Sequence, residues 1–295
     1  MNLGRAKSIL IIAFAGLNLF LGYHLFWPDV GRLTRVAVTA EELSITETML
    51  NENNFFLRTT IDRSARVSDF LSVTPDRNLQ GEILQSFIKK GARVVESDGT
   101  TAYRTDEETS LVYTSGLIRV IYEPGVLLVE GTAGLEEQQI REHVEEFLND
   151  AGLIPEGIVY DYMEKSDAGY LTLHYYQAYE DKPIYASQLA VTIESDRVST
   201  VQIYWLQPVE RVTSREIEVT PATEALAKLV DELGPSSSPR DITALDLGYF
   251  SGEYDAEKWE MPPVWRIVLD GKEHYYINAF TGNIEQDSVI PEQLP

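Results

Sequence analysis

The feature that most constrains the fold is an uncharged stretch, SILIIAFAGLNLFLGYHLFWP, that runs from Ser8 to Pro28. An α-helix rises 1.5 Å per residue, so about 20 residues cross the ~30 Å hydrocarbon core of a membrane. Two basic residues, Arg5 and Lys7, precede the stretch. Residues typical of a membrane interface stand at its other end: Tyr23, His24, Trp27 and Asp29. The pattern predicts one transmembrane helix over residues 8–28.

A cleaved signal peptide is the alternative to a retained anchor. Signal peptides have an apolar region of about 7–15 residues, which is shorter than this one. Val38-Thr39-Ala40 resembles a cleavage site but lies well beyond the apolar stretch, so we favour the anchor. Because Arg32 and Arg35 follow the helix closely, the two ends of the helix carry similar numbers of basic residues. We still expect a cytoplasmic tail over residues 1–7 and an external body.

One face of the predicted helix contains a single amide. The residues of this transmembrane face recur at helical spacing: Ile11, Phe14, Asn18, Leu21 and Leu25. An amide in hydrocarbon gains about 0.6–2 kcal/mol by hydrogen bonding to another helix. We interpret the face as a partner-binding surface; the alternative is that Asn18 is a tolerated polar residue.

Charge and composition exclude several classes of function. The 295 residues include 24 Lys and Arg against 47 Asp and Glu, a formal net charge of −23. Because nucleic-acid affinity comes mainly from Lys and Arg, we expect no nucleic-acid partner. Cysteine is absent, which excludes disulfides, thiol nucleophiles and Cys-ligated metals. A hydrophobic fraction of 44% is typical of a folded protein.

Behind the anchor, the sequence predicts an α+β body of repeated helix-plus-antiparallel-sheet modules. A stem over 29–38 leads into an N-terminal module over 39–131, a middle module over 132–210 and a C-terminal module over 211–295. Thr39 and Glu42 are placed for a capping box, and Thr220 is expected to cap the last helix. Pro124-Gly125 is interpreted as a hairpin turn. The last two modules indicate an internal duplication.

No catalytic, cofactor-binding or metal-binding residues are predicted. His24, His143, His174 and His274 lack metal-ligand spacing, and we interpret each as a surface or structural histidine. Adjacent acidic pairs such as Glu145-Glu146 diverge on an element and favour solvated faces. Weak calcium binding by an acidic loop stays open.

The strands are rich in aromatic residues, which has two interpretations. Those residues are Tyr170, Tyr175, Tyr176, Tyr179, Tyr185, Tyr204, Tyr275, Tyr276, Trp205, Trp259 and Trp265. Half-buried cross-strand packing is the structural interpretation and the favoured one for any single residue. A partner surface is the functional interpretation, since Tyr and Trp are enriched at interfaces.

The opening resembles the YycI family of regulatory proteins. Its residues Lys7-Ser8-Ile9-Leu10-Ile11-Ile12-Ala13-Phe14 and Leu17-Asn18-Leu19-Phe20-Leu21 match the family pattern RxKxIxIxxF…LNLFL. The strand segments PIYASQLAVTIESDRVSTVQ (183–202) and PVWRIVLDGKEHYYINAFTGNIE (263–285) resemble YycH/YycI and PepSY repeats. One departure is Asn2-Leu3-Gly4, where the family often has an Asp-Trp pair.

The resemblance implies a fold, partners and a function. Such proteins act without catalysis beside a YycH-like protein and a WalK-like sensor histidine kinase of a two-component system, and they adjust cell-wall metabolism. It also implies a single-pass protein of the cell membrane with its C-terminal domain outside. The alternative is a membrane-tethered PepSY-like inhibitor or chaperone of an exported protease.

Overall fold

A computed structural model describes Phe14 and residues 38–285, except 65–66, 90, 98–99, 106–108, 115 and 253–255. The side chains of 97, 100, 109–110, 112–114 and 214–216 are also left undescribed. The predicted transmembrane helix therefore lies outside the described residues, apart from Phe14, which is helical and 65% exposed. Among the residues that are described, no helix is long and apolar enough to cross a membrane.

Four α-helices are described, and their ends follow local capping chemistry. They are α1 (Ala40–Glu52), α2 (Arg77–Lys89), α3 (Glu137–Ala151) and α4 (Ala222–Leu233), with a 3₁₀ turn at Thr132–Gly134. The predicted capping box of α1 is confirmed: Glu42 N donates to Thr39 Oγ1 over 3.1 Å, and Thr39 N donates to Glu42 Oε2 over 2.8 Å. These bonds satisfy amides that the first helical turn would leave unpaired.

The predicted cap of α4 is wrong by one residue. Its N-cap is Pro221 rather than Thr220. Thr220 is held in the connection to the sheet, because its N–H donates to Ala279 O over 2.8 Å and its carbonyl accepts from Trp265 Nε1 over 2.7 Å. These two bonds fix its backbone outside the helix.

The strands form one large and one small sheet. In chain order they are β1 (Phe55–Leu57), β2 (Val67–Pro75), β3 (Arg93–Ser97), β4 (Thr100–Arg104), β5 (Thr109–Thr114), β6 (Leu117–Leu127), β7 (Ile158–Lys165), β8 (Leu171–Tyr179), β9 (Lys182–Glu194), β10 (Arg197–Tyr204), β11 (Leu206–Glu218), β12 (Arg240–Tyr249), β13 (Trp259–Met261), β14 (Pro263–Leu269), β15 (Glu273–Asn278) and β16 (Ile284–Glu285). The 13-stranded sheet runs β16-β15-β14-β12-β9-β10-β6-β5-β4-β3, with β1 on β12 and β8-β7 on β9. The small sheet is β11-β2-β13.

A helix followed by four antiparallel strands occurs three times in the described chain. The first unit is α2 with β3–β6, the second is α3 with β7–β10, and the third is α4 with β12 and β14–β16. Strand pairing joins them, since β10 pairs antiparallel with β6 and β9 meets β12 in parallel at Ile184 and Tyr249. These pairings join strands on either side of the boundaries expected after residues 131 and 210. The division of the chain into three separate modules therefore stays a prediction.

The expected hairpin turn at Pro124-Gly125 is wrong, because both residues lie within strand β6. Four residues of β6, 122–125, stand opposite Ser199 of β10, where the register shifts between Val198 and Thr200. The pair therefore forms a bulge. A Cβ on Gly125, whose φ is +93°, would lie 3.1 Å from Val198 O, so the close approach of β10 requires glycine.

Three buried clusters hold the units together. Helices α2 and α3 pack on the first two units through Ile83, Phe87, Ile140, Val144 and Leu148. Helices α1 and α4 pack on the third unit through Leu50, Leu226, Leu229, Ile242 and Ile267. The third cluster lies between the two sheets and includes Leu71, Ile184, Tyr249, Phe250 and Met261. Because β9 and β12 meet in this third cluster, the second and third units have fixed positions relative to each other.

Candidate functional site

A concave site, here named the junction cleft, lies where the second and third units meet. Its walls come from strands β7, β8 and β9 on one side and from β15 and the turn before it on the other. The cleft has a volume of about 490 Å³ and is lined by Asp161, Tyr162, Glu164, His174, Tyr175, Tyr176, Tyr185, Gln188, Lys272, Glu273, His274 and Tyr276. Seven of these twelve residues carry aromatic or imidazole rings, which a pleated sheet places side by side on neighbouring strands.

A buried ion pair joins strand β7 to strand β14, which pairs with β15 in the sheet. Arg266 of β14 donates from Nη1 to Asp161 Oδ2 over 2.6 Å and from Nη2 to Asp161 Oδ1 over 2.9 Å. The side chains are only 8% and 14% exposed. The guanidinium also lies over the rings of Tyr185 and Tyr176, with Cζ 4.4 Å and 5.6 Å from their centroids. This two-bond geometry fixes β7 against β14.

The charge of Arg266 is stabilised by its surroundings. Burial alone would lower its pKa, but the hydrogen bonds to Asp161 and the nearby Tyr185 and Tyr276 raise the pKa above the usual arginine range. Burial also raises the pKa of Tyr185 above the usual tyrosine range. The Arg266 guanidinium is therefore held in its charged form.

Two histidines contact one tyrosine. The Tyr162 ring stacks on His174, with centroids 4.4 Å apart and planes at 9°, and it meets His274 edge-on, with centroids 4.8 Å apart and planes at 88°. Burial lowers the pKa of His174. Burial, together with the positive charge of Arg266, lowers the pKa of His274 to about 4. Both imidazoles are therefore neutral near pH 7.

Two buried polar atoms of the residues that line the cleft, His174 Nε2 and Tyr175 Oη, have no hydrogen-bond partner. His174 Nε2 is buried and unpaired, and its nearest carboxylate oxygen is Glu164 Oε2, 3.8 Å away. Protein hydrogen bonds to nitrogen span about 2.7–3.2 Å, so these atoms do not bond directly. Another carboxylate of the cleft is paired, since Glu273 Oε1 lies 2.9 Å from Arg240 Nη2.

A second polar cluster ties the small sheet to the large one. Asp69 of β2 is 1% exposed and accepts from Tyr249 Oη over 2.6 Å. Arg211 Nε lies 2.6 Å and Lys182 Nζ 3.9 Å from its two oxygens. Burial would raise the pKa of Asp69, but the contacts with Tyr249 and Arg211 outweigh burial and lower it. This cluster is a structural connection rather than a site with free groups.

The residues singled out from the sequence fall in different places. His174 and His274 were expected to be structural, and the structure brings them together in the junction cleft; His143 lies on α3, half-buried. Four of the eight tyrosines and all three tryptophans are buried, which supports the packing interpretation for those residues. Of the transmembrane face, Ile11, Asn18, Leu21 and Leu25 lie outside the described residues.

Sequence reasoning missed Asp161 and Arg266. They are 105 residues apart, and no motif connects them. One local signal was present: Arg266 is the single charge inside β14, where every residue is buried. A buried charge needs a partner, so the strand pattern indicates a buried ion pair. It does not identify the residue that pairs with Arg266.

The fold and the cleft together define a sheet-dominated α+β protein with a polar, aromatic site between two repeated units. In the part of the chain that is described, no group of three or more His, Asp or Glu could hold a metal ion. The family model described as "YycI protein" matches residues 36–280. The chain therefore belongs to the YycI family, as its opening had suggested.

Two solved structures are similar to this chain to different degrees. An uncharacterized protein from Eubacterium rectale matches with a TM-score of 0.51 at 13% identity, covering 79% of this chain and 91% of that one. YycH from Bacillus subtilis matches with a TM-score of 0.43 at 15% identity, covering 72% of this chain and 52% of that one. At these identities the first match shows a shared fold alone. No curated protein matches the sequence.

Proposed function

We propose that this protein is an accessory regulator of a WalK-like sensor histidine kinase that controls cell-wall metabolism. The observation that carries the proposal is the YycI family match over residues 36–280. That range begins within the stem expected after the apolar stretch. The family is one of regulators in this two-component system, and the proposal includes no catalytic step.

The proposal places the protein at the cell membrane, with residues 1–7 inside, one helix over 8–28 and the body outside. What supports the anchor is the uncharged stretch and its flanking residues. A YycH-like protein and the kinase are the proposed partners. The transmembrane face around Asn18 contacts their helices, and the external domain adds further protein contacts.

The alternative is a tethered inhibitor or chaperone of an exported protease. The repetition of a helix with four antiparallel strands is the observation that favours it, since PepSY-like repeats have that order. The two functions differ in what the anchor does. A regulator that acts through helix contacts needs its own transmembrane sequence, whereas an inhibitor needs only to be tethered.

The experiment replaces residues 8–28 with an unrelated apolar anchor and reads out kinase-dependent transcription. We expect regulation to be lost while the external domain stays folded. Full retention of regulation would contradict the helix-mediated mechanism and favour the tethered inhibitor.

A single substitution tests the same face more finely. Asn18→Leu removes one interhelical hydrogen bond, worth about 0.6–2 kcal/mol, and leaves insertion intact. Phe20→Leu, on the opposite side of the helix, is the matched control. We expect photocrosslinking from position 21 to the kinase or the YycH-like protein to fall in Asn18→Leu only. Equal crosslinking in both variants would refute the role of Asn18.

A further inference from the structure

We propose that a groove between two helices docks a basic, amphipathic helix of a partner protein. The groove, here named the helix groove, is bounded by α2, α3 and the end of β6 and has a volume of about 540 Å³. Its apolar lining includes Phe87, Tyr122, Val126, Leu127, Leu128 and Phe147. The inference rests on the proposed function only for the expectation that the external domain contacts a protein.

The apolar lining of the helix groove is open to solvent. Val126 is 40% and Leu127 is 50% exposed. The half-buried rings of Tyr122 and Phe147 meet edge-on, with centroids 5.7 Å apart, and so join the strand to α3. Apolar surface that stays exposed beside polar residues marks a site of protein contact. A helix is about 10 Å across, so a groove of this size accepts the side chains of one helix face.

The charges beside this apolar lining are acidic. His143, Glu146 and Asp150 are spaced so that they share one face of α3, and all three line the groove. The one arginine of α3, Arg141, lies 3.6 Å from Glu145 instead. Glu146 and Asp150 are exposed and form no ion pair with any residue that the structure describes. Among those residues, no Lys or Arg lines the groove.

The two carboxylates lie where they oppose their own helix. The C-terminus of a helix has a partial negative charge, so an anion in the last turn is unfavourable and a cation is favourable. Helix α3 ends at Ala151 with Asp150 in its last turn and no basic residue there, whereas α2 ends with Lys89. A cation from a partner would relieve this repulsion. The groove is therefore complementary to a basic segment.

The occupant that fits is a helix with an apolar stripe flanked by Lys or Arg. Helix-in-groove docking places apolar side chains at i, i+3 or i+4, and i+7 in the groove. Long basic side chains lie along apolar surface while their charges reach the rim. A second copy of this chain is a poor occupant, because its net charge is −23 and like charges across an interface repel.

The test is a titration of the full chain in phosphatidylcholine nanodiscs, with empty nanodiscs as the blank. The probe is a fluorescently labelled peptide of about 18 residues that forms a helix with Leu on one face and Lys on its flanks. Two comparison peptides have Glu or Gln in place of every Lys. We expect the Lys peptide to bind with a Kd of about 10–100 μM and to bind more weakly as salt is added. The Gln peptide should bind several-fold more weakly, and the Glu peptide should not bind.

A pair of charge variants tests the role of the two carboxylates. In Glu146→Gln/Asp150→Asn, the Kd of the Lys peptide should rise about three- to tenfold and lose most of its salt dependence. Asp231→Asn/Glu232→Gln makes the same change in charge in the last turn of α4 and should leave Kd unchanged. Because anions are unfavourable at the end of α3, the first variant should have an equal or higher Tm. Weaker binding would then not reflect unfolding.

A pair of apolar variants tests the lining. Leu127→Gln should raise Kd about tenfold for the Lys and Gln peptides alike, because both lose the same apolar contact. Leu233→Gln changes an exposed leucine of α4 and should leave both Kd values unchanged.

Several results would overturn the inference. They are no binding of the Lys peptide up to about 1 mM, equal binding of the Glu peptide, and binding that Leu127→Gln or Glu146→Gln/Asp150→Asn leaves unchanged. A dimer in sedimentation experiments that Leu127→Gln dissociates would identify a second copy as the occupant instead. No kinase enters these measurements, so failure here is distinguishable from failure of the proposed regulatory function, which the anchor exchange tests.

Discussion

Removing one partner of the buried ion pair should destabilise the protein strongly. In Asp161→Asn, the side chain keeps its shape but the negative charge is lost, and Arg266 stays buried with 8% exposure. Removing one member of a buried pair costs about 3–5 kcal/mol, because the remaining charge is uncompensated. For a domain of this size each kcal/mol lowers Tm by about 2–4 °C, so we expect a fall of ~6–20 °C.

The same substitution in an exposed pair is the control. Arg58 Nε lies 2.9 Å from Asp241 Oδ1, with side chains 60% and 43% exposed. Exposed pairs contribute about 0–1 kcal/mol, so Asp241→Asn should change Tm little. Thermal unfolding followed by the near-ultraviolet circular dichroism of tyrosine measures both. Equal losses in the two variants would refute the assignment of the effect to burial.

A double variant tests the physical cause directly. Asp161→Leu/Arg266→Met leaves no buried charge, and replacing buried pairs with apolar residues is often neutral or stabilising. We expect it to be more stable than Asp161→Asn. A double variant less stable than the single one would show that packing, not the uncompensated charge, accounts for the loss.

Three further effects are expected. Tyr249→Phe removes a hydrogen bond to the buried carboxylate of Asp69 and should lower the free energy of unfolding by about 1.5–3 kcal/mol in urea titrations; an unchanged midpoint would contradict this. Because burial and a nearby cation lower the pKa of His274 from 6.5 to about 4, its contribution to stability is complete above pH 6.5. It is lost as the pH falls towards 4, by up to ~3 kcal/mol, and His274→Asn should flatten that pH dependence. Gly248→Ala would place a Cβ 2.6 Å from Pro183 O and should cost about 1–3 kcal/mol, whereas Gly134→Ala, with open space around it, should be neutral in the same titration.

Local features of the fold were predictable because they depend on neighbouring residues. The capping box of α1 needs only Thr39 and Glu42, and α3 ends at Gly152, whose φ of 69° favours glycine. The bulge at Pro124-Gly125 was mistaken for a turn because its shape depends on β10, more than 70 residues later. Proline and glycine mark an irregular backbone, but a partner strand decides whether the chain reverses or bulges.

The junction cleft could not be predicted, because it depends on one long-range register. Strands β9 and β12 pair in parallel through Ile184 and Tyr249, and this pairing places the strands of His174 and His274 in the same sheet. Each histidine was assessed within its own strand, where a structural role was the better interpretation. Sequence patterns give which side of a strand a residue occupies, but not which strand lies opposite it.

The position of α1 and β1 has a consequence for how the chain is made. They come early in the chain, yet Leu50 and Phe55 complete the core of the third unit, and Arg58 bonds to Asp241, 183 residues later. Synthesis proceeds at about 5–20 residues per second, so roughly 10–40 s pass before their partners exist. During that interval the apolar faces of the first helix and strand lack their native cover. The third unit is therefore the last to be completed, and the newly made chain depends during that interval on whatever shields those faces from aggregation.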